Sequence, residues 1–244
     1  MYFCVDTKIG IRATGLRGQS WKNKYETHPA LSYVQDTTSH NDFDVFIDLN
    51  WDENPDAIVS YSENQHTLFV LGSNLITIEE ALSKYNIKYS GQQFIGINSF
   101  PHLIERNTWE VCNPYEIDLT QFEALRSLLG IENCEWLKSR VGFFTPRVLC
   151  MIINEAYFTV QEGTANKADI DTAMKLGTNY PKGPFEFCEL FGIDLVYKQL
   201  EALYQDTHDE RYKICSLLKT EYLNFIESFN FFKASFACSN GNVS

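Results

Sequence analysis

A glycine string, an acid on an alternating segment and a scatter of thiols are the residues of this chain whose types and spacing chemistry could use. Gly10-Ile11-Arg12-Ala13-Thr14-Gly15 has the outline of a GxGxxG turn, in which the second glycine lets backbone approach a pyrophosphate and a helix follows at once. Arg12 stands where that second glycine belongs. Ser20 to Pro29, which ought to supply the helix, is polar and ends in proline, so a dinucleotide turn is not expected here. Glu110 lies in NTWEVC, Asn107 to Cys112, whose alternation reads as a strand. A carboxylate there can be a general base or a half-buried structural acid. Cys4, Cys112, Cys134, Cys150, Cys188, Cys215 and Cys238 form no CxxC pair. They are read as buried reduced thiols in a reducing compartment, with no metal set among them.

The formal charge is 20 − 32 = −12, and no basic cluster reverses it locally. Nucleic acid is therefore not an expected partner, because phosphate neutralisation needs clustered Lys and Arg. An anionic small molecule remains compatible, since binding depends on local potential. The N-terminal MYFCVDTKIG has no signal-peptide pattern, and no long apolar span occurs, so neither a membrane partner nor a location outside the cytoplasm is expected.

These residues need elements to hold them. FDVFIDL (Phe43 to Leu49), HTLFVL (His66 to Leu71) and QFIGI (Gln93 to Ile97) read as strands, the first of them the earliest confident strand in the chain. Asp36 to Asn41 reads as a loop before it. Thr77 is placed to cap a helix through TIEEALSKY, with Glu79 and Glu80 at its positive end. Asp118 to Leu129 has helical spacing, and Cys134 to Leu137 suits a short last strand. Beyond Gly142 the pattern is helical. Arg147 to Glu162 is apolar around most of its circumference and predicts a helix buried on most sides, with Asn154, Glu155 and Gln161 as exceptions. A second helix opens at Lys167-Ala168-Asp169, with Asp169 and Asp171 in its first turn and Gly177 as its stop. Pro184 starts a third. A fourth runs from about Asp194 to Tyr204, a last one from about Glu210, and the tail from Ser235 is expected to fray.

Within that helical half the chain reads Gly142-Phe143, Asn154-Glu155-Ala156, Glu162-Gly163, Asp169-Ile170-Asp171, Ala173-Met174, Gly177, Pro181 and Gly183-Pro184-Phe185-Glu186. In this order they resemble the helical substrate domain of the NAD-dependent 3-hydroxyacyl-coenzyme A dehydrogenases. DVFIDL, GSNLITIEEAL and GINSFPHLIERNTWEV resemble parts of the first half of the same family. Each matched residue also has a plain structural use, as a helix-start acid, stop, turn or core residue. The resemblance implies a fold of α/β plus all-α: a truncated Rossmann-like sheet domain over 1–139, then a helical domain over 140–244 like the C-terminal domain of 6-phosphogluconate dehydrogenase. It also implies NAD as cofactor, an acyl-CoA ligand and a homodimer through the helical domain.

The same resemblance assigns site residues. The family's catalytic histidine falls on Asn98, and the glutamate that polarises it on Glu110. Ser73 and Asn74 fall in its SNTSS segment, beside the nicotinamide. Pro146 replaces an asparagine that orients substrate. An amide has no accessible titration and cannot take the hydroxyl proton. His102 is too far along an extended segment to substitute, about 13 Å for four residues. The closing GRKTGKGFYxY pattern is not recognisable after Tyr222. The leading reading is a relative impaired in hydride transfer that keeps the helical dimerisation and acyl-CoA domain. The alternatives are an active NAD-dependent oxidoreductase with an atypical base, and a lyase or hydrolase acting through Glu110.

Overall fold

The computed structural model describes residues 7–240, with side chains for all of these except 38–39 and 232–240. Strands β1 (Ile9–Arg12), β2 (Leu31–Tyr33), β3 (Val45–Asp48), β4 (Leu68–Gly72), β5 (Gln93–Ile97), β6 (Thr108–Cys112) and β7 (Asn133–Trp136) form one sheet in the order β2-β1-β3-β4-β5-β6-β7. Every pairing is parallel except β5 with β6. Strands buried on both faces read as unbroken apolar runs, as VFID and LFVLG do. Ile9, Ile11, Val45, Ile47, Val70 and Ile95 point to one core. Phe46, Phe69, Leu71 and Phe94 point to the other.

The structure overturns part of the reading before Phe43. Helix α1 (Gly15–Tyr25) follows β1 directly, and β2 follows it, so a strand, turn, helix and strand precede β3. Propensity hid this helix because its outward face is polar. It is held by tertiary packing instead: Trp21 and Tyr25 are buried with ring centroids 4.5 Å apart, and Gly18 presses against the Ala13 carbonyl. The common dinucleotide-binding order, 3-2-1-4-5-6, has a further strand outside the second one. Among the described residues β2 is the edge, so the truncation is an outer strand that is missing and not a missing first unit.

Further on, α2 (Ile58–Tyr61), α3 (Ile78–Lys84) and α4 (Thr120–Leu128) connect the strands. Thr77 caps α3 as expected, its Oγ1 accepting from Glu80 N at 3.1 Å. The Asp36 to Asn41 loop contains a 3-10 turn, Thr38–Asp42. No helix of the described residues is long and apolar enough to cross a membrane. Cys112, Cys150, Cys188 and Cys215 are buried free thiols and Cys134 is half-buried. Cys4 and the side chain of Cys238 lie outside the described residues.

The chain divides into two compact units between Pro146 and Arg147. The second is helical: α5 (Thr145–Gln161, whose first two residues belong to the sheet unit), α6 (Lys167–Thr178), α7 (Pro184–Phe191), α8 (Ile193–Thr207) and α9 (Ser216–Asn240). Several expectations shift here. Glu210–Tyr212 is a 3-10 turn, and α9 begins at Ser216 and continues past Ser235 to Asn240. Helix α6 ends at Asn179, which takes the left-handed conformation at φ +55°, so Gly177 is helical and not the stop. Asp171 does not serve its own helix start. It is buried and accepts from Phe185 N at 2.8 Å and Glu186 N at 3.3 Å, capping α7. Helix α5 is less enclosed than its composition predicts: Val148 is 38% exposed and Met151 and Ile152 are half-buried. Two of its polar exceptions hold the approach to α9. Asn154 donates to Lys213 O and accepts from Cys215 N, both at 2.9 Å, and Gln161 accepts from Leu217 N at 3.0 Å.

Candidate functional site

At the carboxyl edge of the parallel strands, β4 and β5 end in Ser73-Asn74 and Asn98-Ser99, and β6 runs back beside β5. This antiparallel return brings Asn98 against Glu110, with Asn98 N donating to Glu110 O at 3.0 Å. Their side chains also face each other, Asn98 Nδ2 lying 3.5 Å from Glu110 Oε2. Asn98 Oδ1 accepts from Asn74 Nδ2 at 3.0 Å and from Phe100 N at 3.1 Å. Asn74 Oδ1 in turn accepts from Ser99 N at 2.9 Å and Ser99 Oγ at 3.1 Å.

Glu110, 9% exposed, accepts from Phe144 N at 2.9 Å and Thr145 N at 3.0 Å. These are the residues that lead into α5. Asn98 is 7% exposed and Asn74 is fully buried. Ser73 is buried too, its Oγ set beside Gly96. The residues singled out in the sequence therefore lie close together, but as a hydrogen-bonded interior of amides, a hydroxyl and one carboxylate. His102 is not part of it. Its side chain is at the surface with Nδ1 3.2 Å from Glu105 Oε1. Such a group of amides can orient a polar ligand, but Asn98 has no proton-accepting step to offer.

The glycine turn also differs from the expected register. Gly10 lies inside β1 with its Cα packed on Phe43 and Phe46, and Arg12 is the last residue of the strand. The turn is Ala13-Thr14-Gly15-Leu16-Arg17-Gly18. Gly15 has φ +58° and open space above it, as a glycine approached by a phosphate would. Gly18 makes the close helix contact. The signal that would have found this register is β1 itself, since the first turn residue must follow the strand. Asp36 then lies just beyond β2, 36 − 15 = 21 residues after Gly15, where an acid would meet a ribose. With Arg12, Gln35, Thr37 and Ser60 it lines an open groove of about 510 Å³.

The crevice between the ends of β1 and β3 is where a doubly wound sheet would seat the rest of a dinucleotide. Here it is crossed by the chain itself. Arg12 Nη1 binds both oxygens of Asp48, at 2.7 and 2.8 Å, and Tyr61 donates to the same carboxylate at 2.9 Å. Thr14 N donates to Asn50 Oδ1 at 2.8 Å. Arg17 Nη1 donates to Leu49 O at 2.5 Å and to Asp52 Oδ1 at 2.6 Å. Asp52 Oδ2 also accepts from Asn74 N and Leu75 N, joining this cluster to the amides. Burial pushes the Asp48 and Asp52 carboxyls upward, against the opposing pull of Arg12 and Arg17. The turn thus fits a phosphate and the groove fits a ribose, while the crevice beside them does not fit the remainder of NAD.

Residues 142–224 match the 3-hydroxyacyl-CoA dehydrogenase C-terminal domain. The 3-hydroxybutyryl-CoA dehydrogenase of Clostridioides difficile is 29% identical over 198 residues, 77% of this chain and 69% of that protein. The 3-hydroxyadipyl-CoA dehydrogenase of Escherichia coli is 44% identical over 82 residues, 34% of this chain and 17% of that protein. The crystal structure of (S)-3-hydroxybutyryl-CoA dehydrogenase from Ralstonia eutropha superposes with a TM-score of 0.67 over 87% of this chain and 92% of that one, at 20% identity. Its helical half matches the 3-hydroxyacyl-CoA dehydrogenase C-terminal domain, and the chain is similar in sequence and fold to 3-hydroxyacyl-CoA dehydrogenases. As a 3-hydroxyacyl-CoA dehydrogenase relative it has a Rossmann-like sheet and a helical domain. Its Pro146 is the second residue of α5, where a missing backbone donor costs little, so this departure from the family pattern is easily accommodated.

Proposed function

We propose that this 3-hydroxyacyl-CoA dehydrogenase relative is impaired in hydride transfer and uses its helical domain to dimerise and to bind an acyl-CoA. One observation carries the reading: Asn98, to which the sequence resemblance gives the histidine's place, sits against Glu110, and its amide oxygen is held by Asn74 and Phe100. An alcohol cannot be oxidised there without another proton acceptor. The alternative, in which Glu110 is the base of an active NAD-dependent enzyme, is disfavoured because its oxygens accept from Phe144 N and Thr145 N. The partly uncovered stripe of α5 through Val148 and Ile152 supports the dimer.

The test is acetoacetyl-CoA reduction by NADH with the purified protein, alongside calorimetric titration of acetoacetyl-CoA. Acyl-CoA binding without turnover is expected. Turnover at ordinary enzyme rates, about 1 per second or more, would sink the reading. A monomer by light scattering at micromolar concentration would remove the dimer.

A further inference from the structure

The family's cofactor site has a second departure, separate from the base at Asn98. We infer that the crevice between β1 and β3 is closed by the chain's own side chains acting in place of a dinucleotide, so that NAD(H) is excluded even where its phosphate turn is preserved.

Three bridges span the crevice at different depths. Arg12 and Asp48 are the paired last residues of β1 and β3, so their contact closes the two strand ends against each other. Above them, Asn50 Oδ1 takes the Thr14 N–H, a backbone donor of the glycine turn that would otherwise face an anion. Arg17 reaches from the first turn of α1 to Leu49 O and Asp52. Both pairs are buried, with the side chains of Asp48 and Asp52 fully enclosed and that of Arg17 only 2% exposed. A dinucleotide could enter only by separating them, and breaking a buried pair strands a charge in a poorly solvated place. Asp52 makes the closure continuous with the site, since the same carboxylate holds Asn74 N and Leu75 N.

The exclusion goes beyond the loss of the base and does not depend on it. NADH titration followed by intrinsic and nicotinamide fluorescence tests it in the full chain. The wild-type protein should show no saturation up to about 1 mM NADH, and saturation in the micromolar range overturns the inference. Binding without turnover would overturn this inference alone and leave the impaired-dehydrogenase reading in place.

Opening the crevice supplies the converse. Asn50→Ala frees Thr14 N with little effect on folding, and Arg17→Met with Asp52→Asn removes the deeper bridge while leaving an acceptor for Asn74 N and Leu75 N. The triple variant should bind NADH at least about tenfold more tightly than the wild type, a gain set against the exponential affinity scale. If the triple variant does not fold, as judged by circular dichroism, Asn50→Ala alone should still bring a measurable gain. A folded variant that binds no better than the wild type overturns the inference.

Discussion

The α6–α7 segment and the carboxyl edge of the sheet both carry residues that resemble the family, and the two are held for different reasons. In α6 and α7 the matched polar and turn residues have local tasks. Asn166 Oδ1 accepts from Asp169 N at 3.0 Å to start α6, Asp171 caps α7, and Glu186 accepts from Gly183 N at 2.8 Å. Pro184 supplies the fixed backbone angle of a first helical turn. At the sheet edge the framework is equally well made, yet its side chains are amides and ion pairs joined to one another. A sequence motif made of caps and turns reports a fold. The chemistry depends on a few side chains elsewhere, and those can change while the motif stays intact.

The comparison breaks first if the helical motif can be altered without cost. A Cβ at Gly183 would run into the Asp171 side chain, and Asp171→Ala would leave Phe185 N and Glu186 N without their acceptor. Gly183→Ala is expected to destabilise by about 2–3 kcal/mol from overpacking, and Asp171→Ala by about 2 kcal/mol from lost capping and unsatisfied donors. Urea unfolding followed by circular dichroism measures both. A loss below about 0.5 kcal/mol in each, the level of an ordinary surface change, would remove the structural account of the motif.

Glu110 decides whether the sheet edge is also structural. Glu110→Ala strands two backbone donors and should cost about 2 kcal/mol, with Glu110→Gln costing less because an amide oxygen can still accept. If instead both variants keep wild-type stability and differ in acyl-CoA turnover, the carboxylate belongs to chemistry. Asn98→His sharpens the same contrast. It restores an imidazole next to Glu110 but not the crevice, so it should give no NADH-dependent turnover, and a clear steady-state rate would show that closure is not the barrier.

Thr77→Ala is the smaller control at this edge. It removes a single cap from α3 and should cost about 1 kcal/mol in the same unfolding assay, without affecting ligand binding. A loss as large as that of Asp171→Ala would mean that exposed and buried caps are worth the same here.

The uneven legibility of the sequence follows the same division. β3, β4, β5 and α3 were readable because their apolar runs and the Thr77 cap are local signals. The Asn98 and Glu110 pairing was readable too, because the resemblance fixed both positions and the β5–β6 return brings them together. α1 was not, since Gly15, Gly18 and the polar surface residues argue against a helix, and it is held by tertiary contacts, among them those of Trp21, Tyr25 and Arg17. Nor were the crevice bridges: Arg12, Arg17, Asp48 and Asp52 look like ordinary charges until β1 and β3 are set side by side. Asp171 misled for the same reason, because its partners lie on the next helix.

The last and smallest effect uses one thiol from each region. Burial pushes Cys112, on β6, up to about 11, and Cys188, on α7, up to about 12. The unfolded chain would ionise these thiols near 8.5, so the folded state holds their protons over the interval between. Their contribution to stability is full below about pH 8.5 and is lost as pH rises through the folded values. Native protein at pH 8 should therefore react with a thiol reagent far more slowly at both positions than protein unfolded in urea. Under mild urea the two rates separate the regions, because each thiol reacts only when its own surroundings open. If the caps of α6 and α7 hold the helical unit as tightly as the bridges hold the sheet edge, Cys112 and Cys188 label in parallel, measured by mass spectrometry of the modified peptides. Earlier labelling of Cys188 would instead show that the better-matched region is the weaker one.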